Sequence, residues 1–354
     1  VKTVKFTQGA AIGVIMCGVI MSLMAYAAFG PTNSVENGAS PSASPVAEDI
    51  DLLSRVTRFA GQFGVTGGYR PPTQAEKSIV VEGVSDLFDG NVDGARRRLA
   101  EVDYRLDTFT DTVGGRRFAE VSDAAGRPGS ANRGWGRVYV DLDAPPRWSV
   151  QVPHPVADQG TERLGARVLR GAPGGVMVMA GAHRTAGGVT TASGTADTGD
   201  EESAEDEADG GGEADGGAEG KPADMAHRTD SVFHAVVAEL TRRGLPGIQL
   251  HGFADDSVPG SDSVVSTGAG SRAVEDAERL ADRLAARDVE VCRAWTASCR
   301  LAGRTNEQGR LAARQGTRFL HVELSRTARS GSRRLDTAAE AITYVTTRWS
   351  RSAR

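Results

Sequence analysis

The chain has 354 residues, 39% hydrophobic and 25% charged, a globular composition with room for one large domain or two ordinary ones. Its 41 basic and 46 acidic residues leave a net charge of −5, but residues 187–224 alone hold twelve Asp/Glu against one Lys, so the other 316 positions carry about +6 with no basic runs. That gives no footing for a nucleic-acid partner, and three cysteines (Cys17, Cys292, Cys299) exclude a disulfide-dense scaffold or a cysteine-only zinc cage.

Lys2 and Lys5 precede a nearly unbroken apolar run from Gly9 to Phe29, the pattern of an export signal whose lysines stay inside. Ala25-Tyr26-Ala27 offers a cleavage site, while about 20 apolar residues also suffice to span a bilayer. Residues 1–30 therefore read as a signal peptide or an N-terminal membrane anchor. The rest is expected to work outside the cytoplasm, secreted or anchored, meeting membrane only through this segment. Residues 31–47 (PTNSVENGASPSASPVA) form a Pro/Ser-rich linker.

Residues 48–102 read as a helical segment. Ala75, Ile79, Val80, Val84 and Leu87 share one face, and Ala95, Leu99 and Val102 continue after the Asp89-Gly90-Asn91 turn. From Tyr104 the period shortens, and short β runs (137–142, 148–152, 176–180, 248–250, 318–324) alternate with helices at 229–243, 272–287 and 335–349. That order predicts an α/β domain over 103–354 with a mixed, largely parallel sheet. Thr229 or Asp230 is the expected cap of the 229–243 helix, and Thr161 of one starting near Glu162. Residues 187–224, with ten glycines and twelve acids, read as a solvated, disordered insert. Cys292 and Cys299, seven apart, read as a small structural disulfide or as two independent thiols.

Polar residues collect at the ends of four apolar runs, where open α/β sheets bind ligands. His154 follows Val152-Pro153, with Asp158 four residues on; His183 and Arg184 follow 176–182; His251 ends 247–251; His321 and Glu323 lie within 318–324. Three histidines at strand ends, with Asp158 and no cysteine nearby, match a catalytic zinc site of three ligands plus water: His154, Asp158 and His251. Glu323, a carboxylate inside an apolar strand, would serve beside that water as general base. His183 and His321 read as supporting residues. Arg184, Arg228 and Arg310, with Asn306 in TNEQGR, are candidates to hold a substrate carboxylate, although Arg228 could equally pair with Asp230 on the surface.

These residues resemble the phage-type poly-γ-glutamate hydrolases, to which N-formylglutamate amidohydrolases are related. The likeness runs from Trp148 to Arg329 without the acidic insert, and rests on His154-Pro-Val-Ala-Asp158-Gln-Gly-Thr-Glu162, on His251-Gly252, and on Val322-Glu323-Leu324-Ser325-Arg326. It implies a carboxypeptidase-like three-layer α/β fold and a zinc amidohydrolase, with zinc on His154, Asp158 and His251 and Glu323 as the catalytic carboxylate. The family's first acid is a Glu one position further from its His, so Glu162 is a rival ligand to Asp158.

The expected activity is exported, zinc-dependent hydrolysis of a small or polymeric amide that bears a carboxylate. The alternative is a non-catalytic cell-envelope binding protein on the same fold. No G-x-S-x-G occurs, and Ser266 in VVSTGAG is a poor elbow for a serine hydrolase.

Overall fold

The computed structural model describes residues 48–65, 68–124, 133–187 and 221–351. The signal or anchor, the linker and most of the acidic insert lie outside the described residues. Among the described residues no helix is long and apolar enough to cross a membrane.

Ten strands form one sheet: β1 (Glu48–Ile50), β2 (Tyr104–Asp111), β3 (Arg117–Asp123), β4 (Arg137–Asp141), β5 (Trp148–Val152), β6 (Gly175–Met179), β7 (Gly247–Phe253), β8 (Ser263–Ser266), β9 (Val291–Arg293) and β10 (Phe319–Ser325). Their spatial order is β1-β2-β3-β4-β6-β5-β7-β10-β8-β9. The central four, β6-β5-β7-β10, are parallel, while β4 and β8 run antiparallel to them on either side. Helices α1 (Leu52–Ala60), α4 (Thr161–Gly171), α6 (Val274–Ala285) and α8 (Gly331–Arg351) pack together on one face. Helices α2 (Gln74–Phe88), α3 (Val92–Ala100), α5 (Val232–Arg242) and α7 (Glu307–Arg314) cover the other. This is the mixed, largely parallel α/β architecture the alternation predicted, in the three layers the resemblance implied.

Both faces of the central strands are covered, so they read as unbroken buried runs: every residue of β5, β6 and β10 is buried. The face toward α4 and α8 is uniformly apolar, with Val150, Val152, Ile248, Leu250, Leu320, Val322 and Leu324 in one core. From β5 the chain passes through α4 to β6 on one side, then through α5 to β7 on the other. β5 is therefore the switch point of the strand order, the place beyond whose carboxyl end open α/β sheets gather their ligand-binding residues.

Residues 48–102 are not purely helical and do not stand apart. β1 pairs with β2, α1 lies on α4, and α2 lies on α5. The sequence reading missed β1 because three residues are too short to show a period. On α2 the buried face is Val80, Val84, Leu87 and Phe88, with Ala75 exposed. Ser231, rather than Thr229 or Asp230, caps α5 by accepting from His234 N–H at 3.0 Å, since Asp230 is engaged by Arg228. Thr161 does not cap α4 either: Gly160 stands at the N-cap, and Thr161 Oγ1 donates to Asp158 O at 2.8 Å. Cys292 and Cys299 are joined as a disulfide.

Glu120 ties α1 to the sheet. Fully buried in β3, it accepts from Arg55 Nε of α1 at 2.6 Å and from Arg137 Nη1 of β4 at 2.5 Å. Removing one member of a buried ion pair leaves the others' charge uncompensated. Glu120→Ala should therefore lower stability by about 3 kcal/mol in urea denaturation; a loss within experimental error would show that α1 is held by apolar packing alone.

Candidate metal centre

After β5 the chain turns at once. Asp158 N–H bonds to His154 O at 2.9 Å, and Val156 in the middle of the turn has φ 74°. A β-branched residue in the left-handed region is strained, and the turn it completes brings the side chains of His154 and Asp158 together. From the neighbouring strands, parallel register sets Gln249 beside His321 and His251 beside Glu323. Side chains two apart share a face, so these four polar groups project together, opposite the apolar core that takes Leu250 and Val322.

Asp158 Oδ2 lies 3.4 Å from His154 Nδ1 and 3.3 Å from His251 Nδ1. All three residues are buried, and neither His154 Nδ1 nor Asp158 Oδ2 has a hydrogen-bond partner. Nitrogen and oxygen ligands held about 2.0–2.1 Å from a tetrahedral ion stand about 3.3 Å apart. The spacing is that of donors around an ion, and the group His154, Asp158 and His251 fits a metal.

The outer nitrogens complete the arrangement. His154 Nε2 donates to Asp224 Oδ1 at 2.7 Å, and His251 Nε2 to Gln249 Oε1 at 2.8 Å. Each bond selects the tautomer that turns the Nδ1 lone pair inward, as supporting partners of metal-binding histidines do. Asp224 Oδ2 also holds Arg184 Nη2 and His227 Nδ1, each at 3.3 Å. Gln249 is oriented in turn: its Nε2 donates to Gln151 Oε1 at 3.1 Å and Gln308 Oε1 at 3.2 Å, and its Oε1 also accepts from Asn306 Nδ2. All four amide side chains are buried.

Charge balance follows from these contacts. Burial raises the pKa of Asp158, but the two histidines outweigh it and hold the carboxyl well below its usual range. Burial and Arg184 lower His154, yet Asp224 and Asp158 leave it above its ordinary value. Burial prevails at His251, which is pushed down to about 4.

His251, His321 and Glu323 form a second cluster with donor atoms within 4.8 Å of one another. The His321 ring stacks on His251 with centroids 4.5 Å apart, and its Nε2 is 3.9 Å from Glu323 Oε1. Gly303 makes room for it: a Cβ there would fall 2.4 Å from the His321 ring.

The remaining anticipated residues divide. Glu162 is buried on the first turn of α4, where burial raises its carboxyl, and it belongs to neither cluster, whereas Asp158 stands in the first. His183 bonds through Nδ1 to Thr185 Oγ1 at 2.8 Å. Arg184 reaches the site through Asp224. Arg228 is held by Asp230 through two nitrogens, which is the surface pair, and Arg310 pairs with Glu307 at 3.1 Å on the outer side of α7. Asn306 is engaged within the protein. It is buried, caps α7 by accepting from Gly309 N–H at 2.9 Å, and supports Gln249. The sequence reading missed Gln249 and Asp224. Composition places Asp224 in the solvated insert, but residues 221–224 are packed, with Ala223 and Asp224 buried. The apolar neighbours Ala223, Met225 and Ala226 were the available signal.

No family model matches this sequence, and no curated protein matches it. Among solved structures it is similar to a metallo-carboxypeptidase from Pseudomonas aeruginosa in complex with (2-guanidinoethylmercapto)succinic acid, at 12% identity and TM-score 0.35, covering 79% of this chain and 69% of that one. It is also similar to the LapA aminopeptidase of Legionella pneumophila, at 7% identity and TM-score 0.34, covering 86% and 71%. Likenesses this distant leave the activity to be read from the site itself.

Partners of a ligand's outer nitrogen typically change metal affinity by about 10- to 100-fold. Asp224→Ala should weaken divalent-metal binding by that factor while the far-ultraviolet dichroism is retained. Titration against a chromophoric chelator measures it, and wild-type affinity would show that the Asp224 contact does not support the centre.

Proposed function

We propose that the protein is a zinc-dependent amide hydrolase, acting outside the cytoplasm on a small or polymeric amide that bears a carboxylate, after the manner of the poly-γ-glutamate hydrolases that residues 148–329 resemble. The observation that carries this reading is the buried triad of His154, Asp158 and His251, with both rings backed at Nε2 and donor spacings of 3.3–3.4 Å. Two imidazoles and one carboxylate without cysteine form the ligand set of a catalytic rather than a structural zinc. When bound, the ion would polarise an amide carbonyl and acidify a water molecule.

The chain's own groups would do the rest. Glu323, beside His251 in register, would take a proton from the attacking water on a carboxylate oxygen and deliver it to the leaving amine nitrogen. Asp224 and Gln249 would keep His154 and His251 in the inward-facing tautomer throughout. Arg184, its side chain 26% exposed and anchored to Asp224, would receive the substrate carboxylate. The Cys292–Cys299 disulfide supports work in an oxidising compartment, where such bonds persist.

Zinc analysis and hydrolysis of γ-glutamyl and N-acyl-amino-acid amides, by the full chain and two variants, test the reading. Glu323→Gln keeps the size of the side chain but cannot hold the proton, so hydrolysis should fall by about 10²–10⁴ with zinc retained. His251→Ala should lose both zinc and activity. Equal zinc content in wild type and His251→Ala would sink the proposal, and loss of zinc from Glu323→Gln would make that residue a ligand instead.

A further inference from the structure

Arg329 lies between β10 and α8 and is only 3% exposed. Its guanidinium donates to three main-chain oxygens: from Nε to Leu324 O at 2.9 Å, from Nη2 to Phe253 O at 3.1 Å, and from Nη1 to Gln159 O. Those carbonyls belong to three separate segments, at the ends of β10 and β7 and in the turn that leads from β5 into α4. Each stands one or two residues past a side chain of the site, since Gln159 follows Asp158, Leu324 follows Glu323, and Phe253 is two beyond His251. A planar guanidinium with five fixed donors can bridge three acceptors at set angles, which an ammonium group cannot do. Gly252 supplies the space, because a Cβ there would fall 2.1 Å from Arg329 Cζ. The glycine after His251 is thus where the guanidinium lies against the backbone of β7.

We propose that Arg329 is a positioning residue that fastens the ends of β7 and β10 and the turn between β5 and α4 to one another and so sets the relative places of Asp158, His251 and Glu323. The inference rests on the zinc reading of the same site for one of its two readouts only.

Two variants of the full chain test it. Arg329→Lys keeps the charge and loses the fork; Gly252→Ala keeps the arginine and fills the space it occupies. Zinc affinity by chelator competition should fall about 10- to 100-fold in both, the range for supporting contacts at metal sites. In the zinc-free protein, amide hydrogen exchange should quicken together at Asp158, Ser257 and Ser325, one bonded amide in each segment, while Val140 in β4 keeps its wild-type protection. A side chain that merely stabilised its own turn would quicken only residues 326–330. That result, or wild-type zinc affinity in both variants, overturns the proposal. If wild type itself binds no zinc, the zinc reading fails, and exchange alone decides: loosening of all three segments upholds the role of Arg329, and its absence sinks it. Should Arg329→Lys fail to fold, Gly252→Ala decides the matter through the same two measurements.

Discussion

Five ionisable side chains, His154, Asp158, His251, His321 and Glu323, stand at the carboxyl edge of the sheet with less than a tenth of their surface in water. Removing charged or strongly polar groups from water is unfavourable by several kcal/mol unless each finds a partner. Much of the surrounding structure answers that constraint. Asp224 and Gln249 take the outward nitrogens of two histidines, and Arg184 and His227 complete Asp224. What this leaves over is informative: His154 Nδ1 and Asp158 Oδ2, two buried atoms without a hydrogen bond, lie together and face His251 Nδ1, where a cation fits.

The sheet makes such a cluster possible because it divides its two faces so sharply. On the side of α4 and α8 the central strands present apolar side chains, which supply the packing that a polar cluster cannot. On the side of α5 and α7 the same strands present Gln151, Gln249, His251, His321 and Glu323, and the parallel register aligns them laterally. A one-residue slip of β10 against β7 would move His321 and Glu323 into the aliphatic core and leave Val322 opposite the histidine. The register is therefore as much a part of the site as any side chain in it.

The switch in strand order adds a further requirement. Residues from β5, β7 and β10 must meet beyond strand ends that are joined by long excursions through α4, α5, α6 and α7. Local turns such as the strained one at Val156 orient His154 relative to Asp158, but they cannot set the distance from one strand end to the next. Contacts that cross between segments do so: the amide network through Gln249, Gln308 and Asn306, and the three carbonyls that accept from Arg329. The glycines at 252 and 303 are the complement of these contacts, sites where any side chain would displace an arginine or a histidine.

Much of this was legible in the amino-acid order, for reasons of period and position. Alternating short apolar runs and amphipathic stretches specify an α/β sheet, because a strand buried on both faces and a helix with one apolar stripe look different along the chain. Strand-end histidines were likewise visible at 154 and 251, since a polar residue that closes an apolar run stands at the edge where open sheets gather their ligand-binding groups. Tertiary structure alone decided which polar residues support them. Asn306, Arg228 and Arg310 carry the residue types of substrate contacts, and in the fold they bond Gln249, Asp230 and Glu307. Asp224 reads as the last acid of a solvated stretch until it is seen seventy residues away on His154 Nε2. Composition and period describe what a segment prefers on its own, whereas the shortest bond of this buried carboxylate is to a donor met across the fold, and no local pattern encodes that donor.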